Sequence, residues 1–256
     1  MLAEQRQRLI LERLDREGAV SIAELSDLWR VSRETVRRDI NHLAERQKLF
    51  KTHGGAVSLP ASEPGVAERQ SINAEGKRAI GDLAASLVPD GAAVILDSGA
   101  TTRCIADALR ARKRLTVYTN DLGICHRLAN RNDNRVLLLG GELQRHEEST
   151  IGLDAIAMLA RYFADFAFVG VGGLTPDGHL TDFTREGSEF RARMLVAAKS
   201  VSVVADHTKF NRITPVRVAN FERAQRLLTD RRPDKKLRQA LEAKGIAIVV
   251  AGREAG

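Results

Sequence analysis

The six residues Asp97-Ser-Gly-Ala-Thr-Thr102 place a carboxylate, a glycine and three hydroxyls between an apolar run over 92–96 and a stretch of helical pattern over 101–111. A loop of this kind at a helix N-terminus turns unpaired N–H groups outward. The helix dipole adds partial positive charge there, and the hydroxyls donate further hydrogen bonds. That chemistry suits a phosphate monoester. An empty Ser/Thr helix cap has the same composition, and the loop alone does not separate the two. Other segments tilt the balance. Thr119-Asn120-Asp121, Gly140-Gly141-Glu142, Gly170-Val-Gly-Gly173 and Asp206-His-Thr-Lys209-Phe210 each follow an apolar run, and the carboxyl rim of a parallel sheet is where ligands bind. Lys209 is a second cation for a phosphate or a donor to sugar oxygens; its plainer role is to pair with Asp206. His207 reads as a local cap, and Cys104 and Cys125 as helix-packing residues.

A second set of residues suits nucleic acid. On a helical wheel over 33–45 with Val36, Ile40 and Leu43 inward, Glu34, Arg38, Asn41 and Glu45 face directly away. Arg37 lies on the flank, Arg33 and Thr35 in the first turn, and Ser32 at the cap. Arginine pairs bidentately with guanine and asparagine with adenine, while Ser or Thr at a helix start holds a phosphate. Lys51 and His53 on a following hairpin are placed to reach an adjacent backbone or minor groove. A solvated basic face on a small helical domain has similar composition. Here, however, the second helix, the short turn, the Arg37-Arg38 pair and the glycine-tipped basic hairpin occur in order.

The elements that must position these residues follow from pattern. Over 1–57, Leu9, Ile10 and Leu14 form one stripe ending at Gly18. Ser21, with Glu24 three residues on, has capping-box spacing for a second helix with Ile22, Leu25, Leu28 and Trp29 inside. A turn of about four residues leads to the third helix, the helix-turn-helix spacing, and a hairpin runs from Leu49 through His53-Gly54-Gly55 to Val57. Residues 58–74, with Pro60, Ser62, Pro64 and Gly65, read as a linker. Over 75–252, apolar runs at 92–96, 115–118, 136–139, 166–171, 201–205 and 246–250 alternate with helical stretches near 76–88, 101–111, 122–131, 152–162, 187–198 and 234–244. That alternation means a mostly parallel sheet covered on both faces. The fold class is α/β: a winged helix-turn-helix followed by a larger α/β domain.

Composition agrees. The 256 residues suit two domains, and 4% aromatic content implies aliphatic cores. The net charge of +7 is concentrated: residues 30–53 hold seven Lys or Arg against three Asp or Glu, whereas residues 1–29 hold four against six. A local excess is the footprint of a nucleic-acid partner. Two distant cysteines and scattered histidines give no disulfide framework and no metal spacing. No metal or cofactor is expected, nor a membrane partner, since no apolar stretch reaches spanning length; a cytoplasmic protein follows.

Val31-Ser-Arg-Glu-Thr-Val-Arg-Arg-Asp-Ile40 and His53-Gly-Gly-Ala56 resemble the recognition helix and wing of the DeoR family of transcriptional regulators, with Lys51 where that family usually has arginine. The resemblance extends from about residue 4 to 252. It implies a sensor domain related to ribose-5-phosphate isomerases and glucosamine-6-phosphate deaminases, with a sugar-phosphate pocket. Asp97, Ser98, Gly99, Thr101 and Thr102 match its phosphate loop, Asn120 its T-N motif and Lys209 its D-x-[ST]-K-F motif, and Gly141 falls at a strand end. The family's E-[AV]-x-x-K is replaced here by Arg185-Glu-Gly-Ser-Glu-Phe-Arg191, leaving Glu186 or Glu189 as the acidic contact.

The resemblance implies a repressor of a carbohydrate or polyol operon, bound to double-stranded operator DNA as a homodimer or homotetramer and released by a phosphorylated sugar or polyol. Glycerol 3-phosphate, a hexose phosphate and a pentose phosphate all fit such a loop. The rival is a phosphosugar isomerase with an accessory DNA-binding domain. Its acidic D-G-A-D-E motif would fall near Asp165-Phe-Ala-Phe-Val-Gly-Val171, where apolar residues and glycine replace the acidic pair. A second rival makes the larger domain an oligomerisation scaffold only.

Overall fold

A computed structural model describes residues 2–17, 19–46, 48–52, 54–58 and 64–252. The chain divides into two compact units, Met1–Ser62 and Glu63–Gly256.

The first unit contains α1 (Ala3–Glu17), β1 (Ala19–Ser21), α2 (Ile22–Trp29), α3 (Arg33–Glu45), β2 (Leu49–Thr52) and β3 (Gly55–Ser58). Its strands form an antiparallel sheet in the order β1-β3-β2, so the wing has a third strand that the sequence pattern does not reveal. Ile10, Leu14, Leu25, Val36, Ile40, Leu43, Leu49 and Ala56 make an aliphatic core. The expected stripe on α2 is partly wrong: Leu28 is 61% exposed, Trp29 is half-buried, and Ser26 is buried in their place. Ser21 occupies the N-cap position, but its side chain makes no capping bond. Instead α2 is fixed at its other end. Arg30 adopts a left-handed conformation (φ 51°), its N–H bonds the Ser26 carbonyl, and Ser26 Oγ donates to the Val31 carbonyl at 2.7 Å. Ser32 then caps α3, accepting from the Thr35 N–H at 3.1 Å.

The second unit contains α4 (Val66–Ser71), α5 (Ala74–Ser86), β4 (Ala93–Leu96), α6 (Ala100–Ala108), β5 (Thr116–Thr119), α7 (Leu122–Leu128), β6 (Arg135–Leu138), β7 (Glu142–Gln144), β8 (Ser149–Ile151), α8 (Leu153–Leu159), β9 (Ala164–Val169), β10 (Gly173–Leu174), β11 (Leu180–Asp182), α9 (Arg185–Met194), β12 (Ala198–Val204), β13 (Val216–Arg217), β14 (Arg226–Thr229), α10 (Lys235–Glu242) and β15 (Ala247–Val250). Seven of these strands form a wholly parallel sheet in the order β15-β14-β12-β9-β4-β5-β6. β14 was not among the expected strands: Arg226-Leu-Leu-Thr229 carries only two apolar residues. Alternation along the strands sends Val94, Leu96 and Phe168 to one face, against Ile80, Ala84, Ile105 and Leu128 from α5, α6 and α7. Ile95, Ala167 and Val169 go to the other face, against Leu159, Phe190, Met194, Leu237 and Leu241 from α8, α9 and α10.

One feature differs from the sequence reading and a second goes beyond it. Residues 64–74, expected to be linker, belong to the second unit: Val66 is 2% exposed, α4 follows it, and α5 begins at Ala74. The sheet also reverses direction between β4 and β9. From β4 the chain builds outward through β5 and β6, and then returns to lay β9, β12, β14 and β15 on the other side. The loops after β4 and β9 therefore part company and leave a crevice at their carboxyl ends.

In the first unit, Asp39 is only 4% exposed and takes a bidentate grip from Arg6, with Nε to Oδ2 at 2.6 Å and Nη2 to Oδ1 at 3.2 Å. The Arg37-Arg38-Asp39 triplet is thus split by helical geometry: two arginines point to solvent and the aspartate pins α3 to α1. Removing one partner of a buried ion pair leaves an uncompensated charge. Asp39→Ala is expected to lower the unfolding free energy of this unit by about 3 kcal/mol, read by urea denaturation; a change under about 0.5 kcal/mol would mean the pair is a surface contact.

Candidate functional site

On α3, Arg33, Glu34, Arg37, Arg38 and Glu45 are exposed, and Thr35 and Asn41 are half-buried. Ser32 Oγ and Thr35 Oγ1 lie 2.9 Å apart and are engaged with each other in the cap. Arg37 Nη1 meets Glu34 Oε2 at 2.5 Å, an exposed pair that adds little to stability but holds the guanidinium on the outer face. Arg33 and Arg38 form no ion pair among the described residues. Lys51 is exposed on β2, paired in register with Ala56; His53 lies outside the described residues.

In the larger unit, the loop after β4 is shaped from beneath by two buried carboxylates. Asp97, 1% exposed, accepts the Ser98 N–H at 2.8 Å, the Gly170 N–H at 2.9 Å and Arg191 Nε at 2.8 Å. Burial pushes its carboxyl above the usual carboxylate range, and the Arg191 guanidinium works against that shift. Asp121, fully buried, accepts the Gly99 N–H at 3.2 Å, caps α7 through the Ile124 N–H at 2.9 Å and pairs with Arg103 Nε at 3.0 Å. Thr102 Oγ1 donates to the Gly99 carbonyl at 2.9 Å. Gly99 adopts φ 135°, a conformation that only glycine takes readily, and it lets α6 start directly behind the turn.

This loop forms one wall of a cavity of about 250 Å³ at the crevice between β4 and β9. Ser98, Gly99, Thr101, Thr102 and Lys209 line it as the sequence predicts. Four further cations line it as well: Arg69, Lys77, Arg191 and Arg212. Arg191 bridges Asp97 and Asp182. Lys77 is 4% exposed and pairs with Asp206 at 3.3 Å. The Arg212 guanidinium stands 5.0 Å over the Phe183 ring. Among the described residues, neither a carboxylate nor a histidine lines the cavity. The arrangement can hold an anion on fixed N–H groups and cations, with Ile72, Val171 and Val204 as apolar walls.

The remaining sequence candidates stand elsewhere. Asp97 lies below the cavity and organises it. Asn120 is buried, its Nδ2 donating to the Thr150 carbonyl at 2.8 Å, and so joins the end of β5 to β8. Gly141 has φ 129°, and a side chain there would collide with the Ile151 carbonyl, so its role is close strand packing. Glu186 and Glu189 are exposed on α9, and Glu189 pairs with Arg185; neither lines the cavity. Arg191, one turn beyond Gly187 on the same helix, supplies that contact, because the α9 face turned to the sheet carries Gly187, Phe190, Arg191 and Met194. Asp206, not His207, caps its turn through the Thr208 N–H at 2.9 Å, while His207 Nδ1 meets Asp230 at 2.6 Å. Burial raises the Cys104 thiol and carries Cys125 to about 11, in keeping with packing roles.

Residues 6–61 match the model of the DeoR-like helix-turn-helix domain, and residues 72–231 match that of the DeoR C terminal sensor domain. The chain belongs to the DeoR family. It is therefore a transcriptional regulator with an N-terminal DNA-binding module and a sensor module. Among its relatives are the glycerol-3-phosphate regulon repressor of Escherichia coli, 31% identical over 93% of this chain and 94% of that protein, and the transcriptional repressor GlcR of Bacillus subtilis, 32% identical over 100% and 99%. Of solved structures, ribose 5-phosphate isomerase A of Methanocaldococcus jannaschii aligns over 54% of this chain and 55% of that one, at 17% identity and a TM-score of 0.39.

The two α9 residues allow a direct comparison. Arg191→Gln strips the buried Asp97 and Asp182 of their cation and is expected to cost about 3 kcal/mol of stability. Glu186→Gln should stay within about 0.5 kcal/mol of the parent and leave binding of inorganic phosphate unchanged. Denaturation and phosphate titration of both variants decide the assignment, and a phosphate defect in Glu186→Gln would restore Glu186 to the site.

Proposed function

We propose that this DeoR-family regulator is a repressor whose larger unit binds a phosphorylated sugar or polyol in the cavity between β4 and β9, and whose N-terminal unit binds double-stranded operator DNA. The observation that carries the effector class is the cavity: a glycine-turned loop and helix start on one wall, and five cationic side chains, with no carboxylate among the described residues that line it. The names of the relatives, repressors among them, support the same reading. On the DNA side, Ser32, Arg33, Glu34, Thr35, Arg37, Arg38, Asn41, Lys51 and His53 are the proposed contacts. Arg38 is the foremost base reader, because it is exposed on the outward face of α3. Two or more subunits, a homodimer or homotetramer, set recognition helices in successive major grooves about 34 Å apart. Effector binding favours an arrangement with lower operator affinity. The protein acts in the cytoplasm, on the nucleoid.

Binding rather than catalysis is the reading for the cavity. Isomerisation of a sugar phosphate needs a base poised at the substrate carbon. β9, where the resemblance to the isomerases would put acidic residues, presents Ala167, Phe168 and Val169 to the two cores, and Asp97, Asp206 and Glu147 are engaged by Arg191, Lys77 and Arg69.

The test is a salt-titrated binding assay on the DNA flanking the protein's own gene, with and without a panel of sugar and polyol phosphates. Release by one phosphorylated compound is expected; a complex indifferent to every phosphate overturns the effector reading. Arg38→Ala should weaken the specific complex by about 1–3 kcal/mol and spare effector binding. Thr101→Val with Thr102→Val should do the opposite, giving a repressor that stays on its operator when effector is added. An effector at a hundred times its dissociation constant should stabilise the parent protein by about 2.7 kcal/mol and the double variant by less.

A further inference from the structure

Arg69 lies where the cavity and the chain junction meet. Pro64 is the first described residue of the larger unit, so the chain arriving from the DNA-binding unit enters through the segment that Arg69 fastens. Arg69 Nη1 donates to the Pro64 carbonyl at 2.8 Å and to Glu147 Oε1 at 2.7 Å, and Nη2 donates to Glu147 Oε2 at 2.7 Å. The Val66 N–H adds a bond to the His146 carbonyl at 3.0 Å. Segment 64–71 is thereby fastened to the turn between β7 and β8. The same guanidinium lines the cavity, and a methyl group built on Gly99 would stand 3.8 Å from Nη2, so Arg69 overhangs the loop of residues 98–102.

The two parallel bonds that an arginine makes to a carboxylate are the geometry with which it takes a phosphate. Glu147 therefore holds a guanidinium that a phosphate on this loop would compete for. Arg191 and Lys77 are held differently. Asp97 and Asp206, which partner Arg191 and Lys77, are 1% and 0% exposed, and water is not there to receive them if their cations turn away. The Glu147 side chain is 24% exposed, so its release is far less costly. A phosphate dianion also offers more charge than a carboxylate at the same site.

We propose that Arg69 couples occupancy of the cavity to the junction with the DNA-binding unit. A phosphate bound on the loop of residues 98–102 draws the guanidinium from Glu147 and from the Pro64 carbonyl, and segment 64–71 loses that fastening. The proposal rests on reading the cavity as a phosphate site. It makes Glu147 an internal competitor of the effector and Arg69 both a ligand contact and the transmitting residue.

The experiment uses the full chain, with inorganic phosphate and sn-glycerol 3-phosphate as probes in calorimetric titrations. Operator affinity is measured by fluorescence anisotropy on the DNA flanking the gene. Glu147→Gln, which removes the charge that holds Arg69, should bind the phosphate probes about fivefold or more tightly and hold DNA more weakly without any ligand. Arg69→Gln should lose about tenfold or more in phosphate affinity, and its operator affinity should become the same with and without probe. Arg69→Lys, which keeps the charge but loses the two-pronged grip, should retain part of the phosphate affinity and lose the release; it also serves if Arg69→Gln does not fold. A merely structural ion pair would lower thermal stability in all three variants without tightening phosphate in any. Unchanged or weaker phosphate binding by Glu147→Gln, or normal release by Arg69→Lys, overturns the coupling and leaves the cavity assignment standing. Failure of the parent chain to bind either probe overturns the phosphate reading and this proposal with it.

Discussion

A buried carboxylate at the end of a central strand organises the larger unit. Asp97 has no access to water and must be satisfied by protein. It does this by taking the Ser98 N–H of its own loop, the Gly170 N–H at the end of β9 and the Arg191 guanidinium of α9. These partners belong to the two strands that part at the reversal of the sheet and to a helix that covers one face. One group therefore sets the width of the crevice, the path of the loop and the position of a cavity cation. Asp121 repeats the device one strand along, where it ties Gly99, α7 and Arg103 together.

The consequence is a cavity whose positive lining is prearranged at different levels of commitment. Arg191 and Lys77 are bound to carboxylates sealed from solvent, so they are fixed features of the wall. Arg212 rests over an aromatic ring. Arg69 is held by a carboxylate that water can reach. Under the proposed reading, such a site would receive an anion without rearranging its floor, with Arg69 able to respond. The same logic of buried acid and exposed base appears in the small unit: Asp39 turns inward to Arg6, and the neighbouring arginines of α3 are left for a partner.

Much of this was legible in the sequence, and the reasons are local. The strands of the parallel sheet are continuous apolar runs because both faces are covered, and all but one announced themselves. β14 did not, since two leucines between polar residues are too short a signal. The loop of residues 97–102 and Lys209, which meet at the cavity, stood out because strand ends, glycine and hydroxyls sit together in sequence. Ser32 and the outward face of α3 followed from helical period and capping chemistry. Leu28 and the Ser21 cap went astray because packing and a left-handed turn at Arg30 overrode the wheel.

The sequence by itself determined the two-domain plan, the strand and helix alternation, the outward polar face of α3 and the glycine and hydroxyl loop after β4, because each is written in residues close along the chain. Only the tertiary structure decided which distant side chains share the cavity. Arg69 comes from a segment with linker composition, Lys77 from the first turn of the helix after it, Arg191 from a helix whose glutamates were the more obvious candidates, and Arg212 from beyond a strand. No local pattern marks them, since their proximity is produced by the crossing of the sheet at β4 and β9. Burial, not sequence spacing, likewise separated the carboxylates that hold the site together from those left in solvent.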